Sequence, residues 1–158
     1  MSKTPEDYMR EAIALSRDNI HVHGGGPFGA VVVKDGQIIG RGRNQVTTAN
    51  DPTAHAEVMA IREACQNLGA FSLQGCEIYS SCEPCPMCLS AIYWARIEKI
   101  YYGNTQSDAA YIDFDDAFLY KEVKLPRHER AIPLVPLLRD EAVKVFEEWD
   151  AKDDKVSY

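Results

Sequence analysis

Residues 81–88 read SCEPCPMC, which places Cys82, Cys85 and Cys88 within one short stretch of a 158-residue chain holding five cysteines in all. Thiols this close need a reason. An odd cysteine count, with no secretory signal visible in MSKTPEDYMREAIALS, favours metal or thiol chemistry over a disulfide framework. Cys85 and Cys88 stand i, i+3, and Pro86 suits the first position of a helix. Both sulfurs would then share one helical face beside an N-terminus, where the dipole favours thiolates. Upstream, TAHAE offers His55 in the first turn of another predicted helix. A His, Cys, Cys donor set suits zinc, and three protein ligands leave the fourth position open, as in catalytic rather than structural sites. Zinc held in this way lowers the pKa of bound water from about 15.7 to about 7. Glu57, two residues beyond His55, is placed to handle the proton. The fourth ligand is expected to be water, with Cys82 a bystander.

Elements must bring these residues together. PEDYMREAIALSRDNI places Met9, Ala12, Ile13, Ser16 and Ile20 at helical spacing. AVVVKDGQIIGRGRN reads as two strands joined at Asp35-Gly36. DPTAHAEVMAIREACQNLG reads as a helix with Thr53 as N-cap and Gly69 as its stop. CEIYSS is a third strand, CEPCPMCLSAIYWAR a helix, IEKIYYG a fourth strand and 107–122 a helix. AIPLVPLL is expected to be a fifth strand, parallel to the fourth, and RDEAVKVFEEWDAK a final helix. The expected fold is α/β, with a central mixed five-stranded sheet and helices on both faces. His55 and the Cys85/Cys88 pair would sit on helix N-termini at the ends of adjacent strands.

The chain is of single-domain length, with ordinary globular composition (46% apolar, 26% charged). No apolar run approaches the roughly 20 residues that span a bilayer, so a cytoplasmic location is expected. With 17 basic residues against 24 acidic ones, the net charge of -7 opposes a phosphate backbone. The mixed segment KEVKLPRHER (121–130) reads as a solvated loop. His21 and His23 could suggest a second metal site but read better as surface residues, as does His128. Cys65 and Cys76 read as small core residues.

HAE at 55–57 with PCPMC at 84–88 resembles the signature of the cytidine deaminase superfamily, the zinc-dependent nucleobase deaminases, over nearly the whole chain. The signature alone does not separate tRNA adenosine deaminases from bacterial guanine deaminases. GGPFGAVVVKDG, NQVTTANDPTAHAEV, DAAYIDFDDAFLYKE and the closing Tyr158 are most similar to the small bacterial guanine deaminases. The resemblance implies a three-layer cytidine-deaminase-like fold, one zinc per subunit, and hydrolysis of guanine to xanthine and ammonia. It implies that Asn44 and the Ala54 backbone bond the purine, that Phe28 and Trp94 sandwich it, and that Asp116 grips its polar edge and helps Glu57 move protons. Asp113 and Asp115 stand close enough in sequence to compete for that assignment. Without the resemblance, Phe28 and Trp94 read as core residues, Asn44 as a turn residue and Tyr158 as a frayed end. The resemblance further implies a homodimer that exchanges its C-terminal segments, about 130–158 within the one deaminase domain, so that Tyr158 closes the partner's pocket. No nucleic-acid or membrane partner is expected.

Overall fold

The computed structural model describes residues 2–158. The chain divides into two compact units, 1–117 and 118–158. In the first unit, helix α1 (Pro5–Asp18) begins at Thr4, whose hydroxyl accepts from Asp7 N at 3.4 Å while the Asp7 carboxylate accepts from Thr4 N at 2.9 Å. This is a reciprocal capping box. The helix widens at its end into a π turn, Asn19–His23. Its buried stripe is Tyr8 and Ala12, flanked by Met9 and Leu15. Ile13 and Ile20, expected on that stripe, are 39% and 45% exposed.

Strands β1 (Gly29–Lys34) and β2 (Gln37–Arg43) form the expected hairpin. Asp35 and Gly36 both have positive φ, 48° and 76°, as a type I′ turn requires. Next come α2 (Val46–Ala49), α3 (Ala56–Leu68), β3 (Cys76–Cys82), α4 (Pro86–Trp94), β4 (Lys99–Asn104) and α5 (Gln106–Tyr111). The sheet order is β2-β1-β3-β4, antiparallel except for the parallel pair β3–β4.

Alternation along β1 sorts the core into two sides. Ala30 and Val32 pack with Ala56, Ala60, Ala64 and Ile92 of α3 and α4. Val31 and Val33 pack with Tyr8 of α1 and with Tyr79. This unit is therefore three layers, with α1 on one face and α3 and α4 on the other. Helix α3 lies directly on β2, because Gly40 and Gly42 have no Cβ to meet its backbone. Its side chains also cover the sheet edge: Glu63 accepts from Arg41 N at 2.5 Å, and Asn67 donates to Ile39 O at 2.9 Å. That satisfies backbone groups an edge strand otherwise exposes.

Several expectations are corrected. The sheet has four strands among the described residues, not five. AIPLVPLL (131–138) is irregular, since Pro133 and Pro136 offer no ladder N–H; the expected parallel pairing of a fourth and a fifth strand goes with it. The single helix expected over 107–122 is two, α5 and α6 (Ala117–Lys124), separated by a segment in which Asp113 has φ 70°. Thr53 does not cap α3; its amide and hydroxyl both donate to Asp51 Oδ1, and His55 holds the N-cap position. The strands that lead towards α3 and α4 are β2 and β3, which flank β1 rather than pairing with each other.

The second unit holds most of α6, a 3₁₀ turn (Arg127–Glu129) and α7 (Arg139–Asp150). The start of KEVKLPRHER is thus helix rather than loop. Arg130 Nε donates to Leu125 O at 3.1 Å, and Ala131 N donates to Glu122 at 2.9 Å. No residue of α6 or α7 is buried. Among the described residues, no helix is long and apolar enough to cross a membrane.

Candidate active site

His55 and Cys85 are the N-cap residues of α3 and α4, and Cys88 is buried in the first turn of α4. Both helices open towards one point. His55 Nδ1 lies 3.6 Å from Cys85 Sγ and 3.5 Å from Cys88 Sγ, and the three ligand atoms fall within 4.8 Å of one another. Two ligands at about 2.3 and 2.05 Å from one tetrahedral zinc lie about 3.5 Å apart, so the donors and their spacing both fit that ion. Without a metal, the three groups share protons. The Cys85 thiol is pulled down to about 4, chiefly by its hydrogen bond with Cys88 and further by His55. Cys88 is pushed up by that same bond and by burial, and His55 is raised chiefly by Cys85.

Glu57 is 5% exposed and accepts from Ser80 Oγ at 2.7 Å; its charge helps to push the Cys88 thiol up. The expected proton carrier thus sits against the metal ligands, held by a serine on β3. Cys82 lies on the same strand, buried, and burial pushes its thiol up to about 11. A group that resists ionisation in this way is a poor zinc ligand, and it stands outside the His55, Cys85 and Cys88 group.

The other expected residues are placed as follows. Asn44 is 8% exposed, and its Oδ1 accepts from Val46 N at 3.2 Å. Its carbonyl accepts from Asn19 Nδ2, which also holds Gly26 O. Buried Asn19 thereby fastens the Gly-rich loop before Phe28 to the end of β2. The amide of Ala54 donates to Asp51 O at 3.1 Å, and its carbonyl accepts from Gln45 N at 2.9 Å. Phe28 is half-buried, and Phe114 meets it edge-on with centroids 5.0 Å apart. Trp94 closes α4, 61% exposed, roughly 9 Å along the helix axis from Cys88 at 1.5 Å per residue.

The three neighbouring acids differ sharply. Asp113 and Asp115 are exposed, and Asp115 spends an oxygen on Ala117 N at 2.9 Å. Asp116 is half-buried, and its shielded Oδ1 has no protein partner. Burial, and then the charge of Cys85, raise its carboxyl above the usual range. Asp116 is therefore the acid of the three that is shielded from water and feels the charge of Cys85. Tyr158 is exposed and belongs to the second unit. His21 and His23 are exposed, and His55, Cys85 and Cys88 form the metal-competent group found among the described residues. Asn19 and Ser80 escaped sequence reasoning. A polar residue in a predicted strand or at a helix end carries no signal of its partner's identity.

Residues 2–104 match the cytidine and deoxycytidylate deaminase zinc-binding region. The chain is 50% identical over 153 residues to the guanine deaminase of Bacillus subtilis, covering 97% of this chain and 98% of that one. The crystal structure of that enzyme superposes with a TM-score of 0.95 at 49% identity, over 99% of each chain. The tRNA-specific adenosine deaminase of Aquifex aeolicus is 49% identical over 77 residues, which is 49% of this chain and 51% of that protein.

Proposed function

The chain belongs to the cytidine and deoxycytidylate deaminase zinc-binding family, and on that premise we propose that it is a guanine aminohydrolase, converting guanine and water to xanthine and ammonia. The observation that carries the substrate is the extent of likeness: alignment with a guanine deaminase covers 97% of this chain and 98% of that one and so includes the Asp116 segment, whereas likeness to a tRNA-specific adenosine deaminase covers about half of each chain.

His55, Cys85 and Cys88 would hold zinc, which supplies a water acidified towards neutrality and held for attack on C2. Glu57 does the proton work. One oxygen is fixed by Ser80, leaving the other to carry one proton from the attacking water to the ring nitrogen and then a second, from the hydroxyl left on C2, to the departing amine as the C2 carbonyl forms. Asp116 accepts from the adjacent N–H groups of guanine, a pattern adenine lacks. A shielded acceptor left unpaired by the wrong base discriminates strongly. Asn44 bonds the purine, and Ala54 N–H does so by sharing the donor it already gives to Asp51. Phe28 supplies one stacking face, with Phe114 set against its ring, and Trp94 the other.

We also propose that the active form is a homodimer with exchanged C-terminal segments, Tyr158 closing the partner's pocket. The support is the apolar surface of the second unit. Ile132, Val135, Leu137 and Phe146 are each 78% or more exposed, more than a monomer usually leaves to water. Five free thiols suit a cytoplasmic enzyme, and the net charge of -7 disfavours a nucleic-acid partner. The test is ammonia release by the zinc-loaded protein from guanine, guanosine, adenine, cytosine and an adenosine-containing anticodon stem-loop. Guanine alone should be consumed; turnover of the stem-loop would overturn the substrate. Sedimentation should give twice the chain mass of 17.7 kDa, and deleting Tyr158 should lower activity with the dimer intact.

A further inference from the structure

Phe28 and Asn44, two of the residues assigned to the purine, hang on one buried amide. Asn19 opens the π turn that ends α1 and is 1% exposed. Its Nδ2 donates to Gly26 O at 2.7 Å and to Asn44 O at 2.8 Å, so both amide hydrogens are spent on backbone carbonyls of two separate segments. Gly26 O also accepts from Phe28 N at 2.8 Å, and Asn44 N donates to Phe28 O at 3.1 Å. The Asn19 carbonyl accepts from Gly24 N, closing the π turn, and from Gly25 N at 3.0 Å. One side chain thus joins the loop that ends in Phe28 to the residue that follows β2. Gly26 shows where the two purine-facing groups converge. A Cβ on it would stand 3.4 Å from a ring carbon of Phe28 and 3.6 Å from Asn44 Oδ1, so ring and carboxamide border the same space. Gly25 lies against the clamp itself: a Cβ there would come within 2.5 Å of Asn19 Nδ2 and 2.6 Å of Asn44 O. The metal ligands stand elsewhere, at the starts of α3 and α4.

We propose that Asn19 is a positioning residue for the purine: by holding Gly26 O and Asn44 O together, it sets the separation between the stacking ring of Phe28 and the carboxamide of Asn44. The inference rests on the substrate roles given to Phe28 and Asn44 above.

The test compares wild type, Asn19→Leu, Gly25→Ala and Tyr8→Phe, each zinc-loaded. Leucine is close to asparagine in shape and makes neither bond, while alanine at 25 forces the clamp open from the loop side with Asn19 intact. Tyr8→Phe removes the 2.6 Å bond to Gly36 O at the hairpin end of β1 and β2, opposite the end where Gly29 pairs with Arg43. It serves as a loss of stability remote from the pocket. Calorimetry with 8-azaguanine reads purine binding apart from turnover. Asn19→Leu and Gly25→Ala should weaken that binding and raise KM for guanine about tenfold to a hundredfold, the scale of a 1 Å misplacement. Zinc content should stay unchanged, and kcat should change less than KM. Tyr8→Phe should leave both constants near wild type. In an Asn44→Ala background, Asn19→Leu should cost less than it does alone. Equal losses of affinity in Asn19→Leu and Tyr8→Phe, zinc lost in step with affinity, or a fall in kcat alone would overturn the proposal. Loss of the fold in both Asn19→Leu and Gly25→Ala would give Asn19 a merely structural role and likewise overturn it. A wild type that binds 8-azaguanine without consuming guanine sinks the proposed reaction only, and Asn19 is then judged on binding; one that binds no 8-azaguanine sinks both.

Discussion

Gly42→Ala is a substitution outside the active site that should nevertheless dismantle it. Gly42 lies on β2, beneath the first turns of the helix that carries His55 and Glu57. A Cβ there would sit 2.5 Å from Ala60 N and closer still to Ala56 O. Both are helix backbone, which cannot turn aside as a side chain can. For the Ala60 contact alone to relax to an ordinary 3.4 Å, the N-terminal half of α3 must lift by about 0.9 Å. A metal site tolerates roughly 0.2 Å in its ligand distances, so the lift separates His55 Nδ1 from both sulfurs by several times that margin. Overpacking of this kind costs about 1–3 kcal/mol. The expected result is a lower melting temperature together with zinc loss, read as metal per chain after dialysis against a weak chelator. Gly40→Ala, set against Ala60 and Ala64 one turn further on, should cost similar stability and less zinc. A Gly42→Ala protein that keeps stoichiometric zinc and full turnover would refute the claim that direct helix-on-strand contact sets the ligand geometry.

Glu57→Gln should keep zinc, fold and the Ser80 bond while kcat falls by about 10²–10⁴; turnover near wild type would remove Glu57 as the proton carrier. Ser80→Ala leaves a buried carboxylate short of a donor, so it should cost about 1–3 kcal/mol in urea unfolding and lower kcat. An unchanged unfolding midpoint would show that the 2.7 Å bond is energetically idle. Zinc affinity should fall with pH, because metal binding requires a neutral imidazole and the metal-free His55 is raised above its ordinary value. By the same sign, protonated His55 contributes stability to the metal-free fold that is complete below its unfolded pKa and lost as pH rises through the folded one. Chelator competition between about pH 8 and pH 5.5 checks the first statement, and melting of the metal-free protein over the same range checks the second.

The zinc ligands were legible because their constraint is local: a C-x-x-C on one helical turn and a histidine beside a second predicted helix start. The substrate residues were not. Nothing in the spacing of Glu57 and Ser80 reports that a sheet brings the pair together; Asp116 entered through resemblance alone. The fifth strand failed for a different reason. AIPLVPLL is apolar enough for a buried strand, and hydrophobicity outweighed its two prolines in the reading, whereas in the structure the missing N–H groups decide. Those apolar side chains are exposed, so their pattern reflects something other than burial in this chain's own core.

The misplaced N-cap is the most informative of these failures. Helices α1 and α5 begin with complete capping boxes, Thr4 with Asp7 and Thr105 with Asp108. Helices α3 and α4 begin with His55 and Cys85, and neither makes a side-chain capping bond. A capping oxygen is typically worth about 1 kcal/mol, so the chain forgoes this stabilisation at the two helices that build the site while keeping it at two that do not. Thr53 was expected to cap α3 because threonine favours the position directly before a helix. Here it is bound to Asp51 instead, and the cap position goes to the imidazole that must face two sulfurs. Local preference yields where side chains are needed for chemistry. Bound zinc would return more than the lost caps, since it acts on the folded site and not on the unfolded chain. Helices α2 and α7 also start without a side-chain cap, so it is the imidazole and thiol standing at the cap positions of α3 and α4, and not the missing caps, that mark the metal centre.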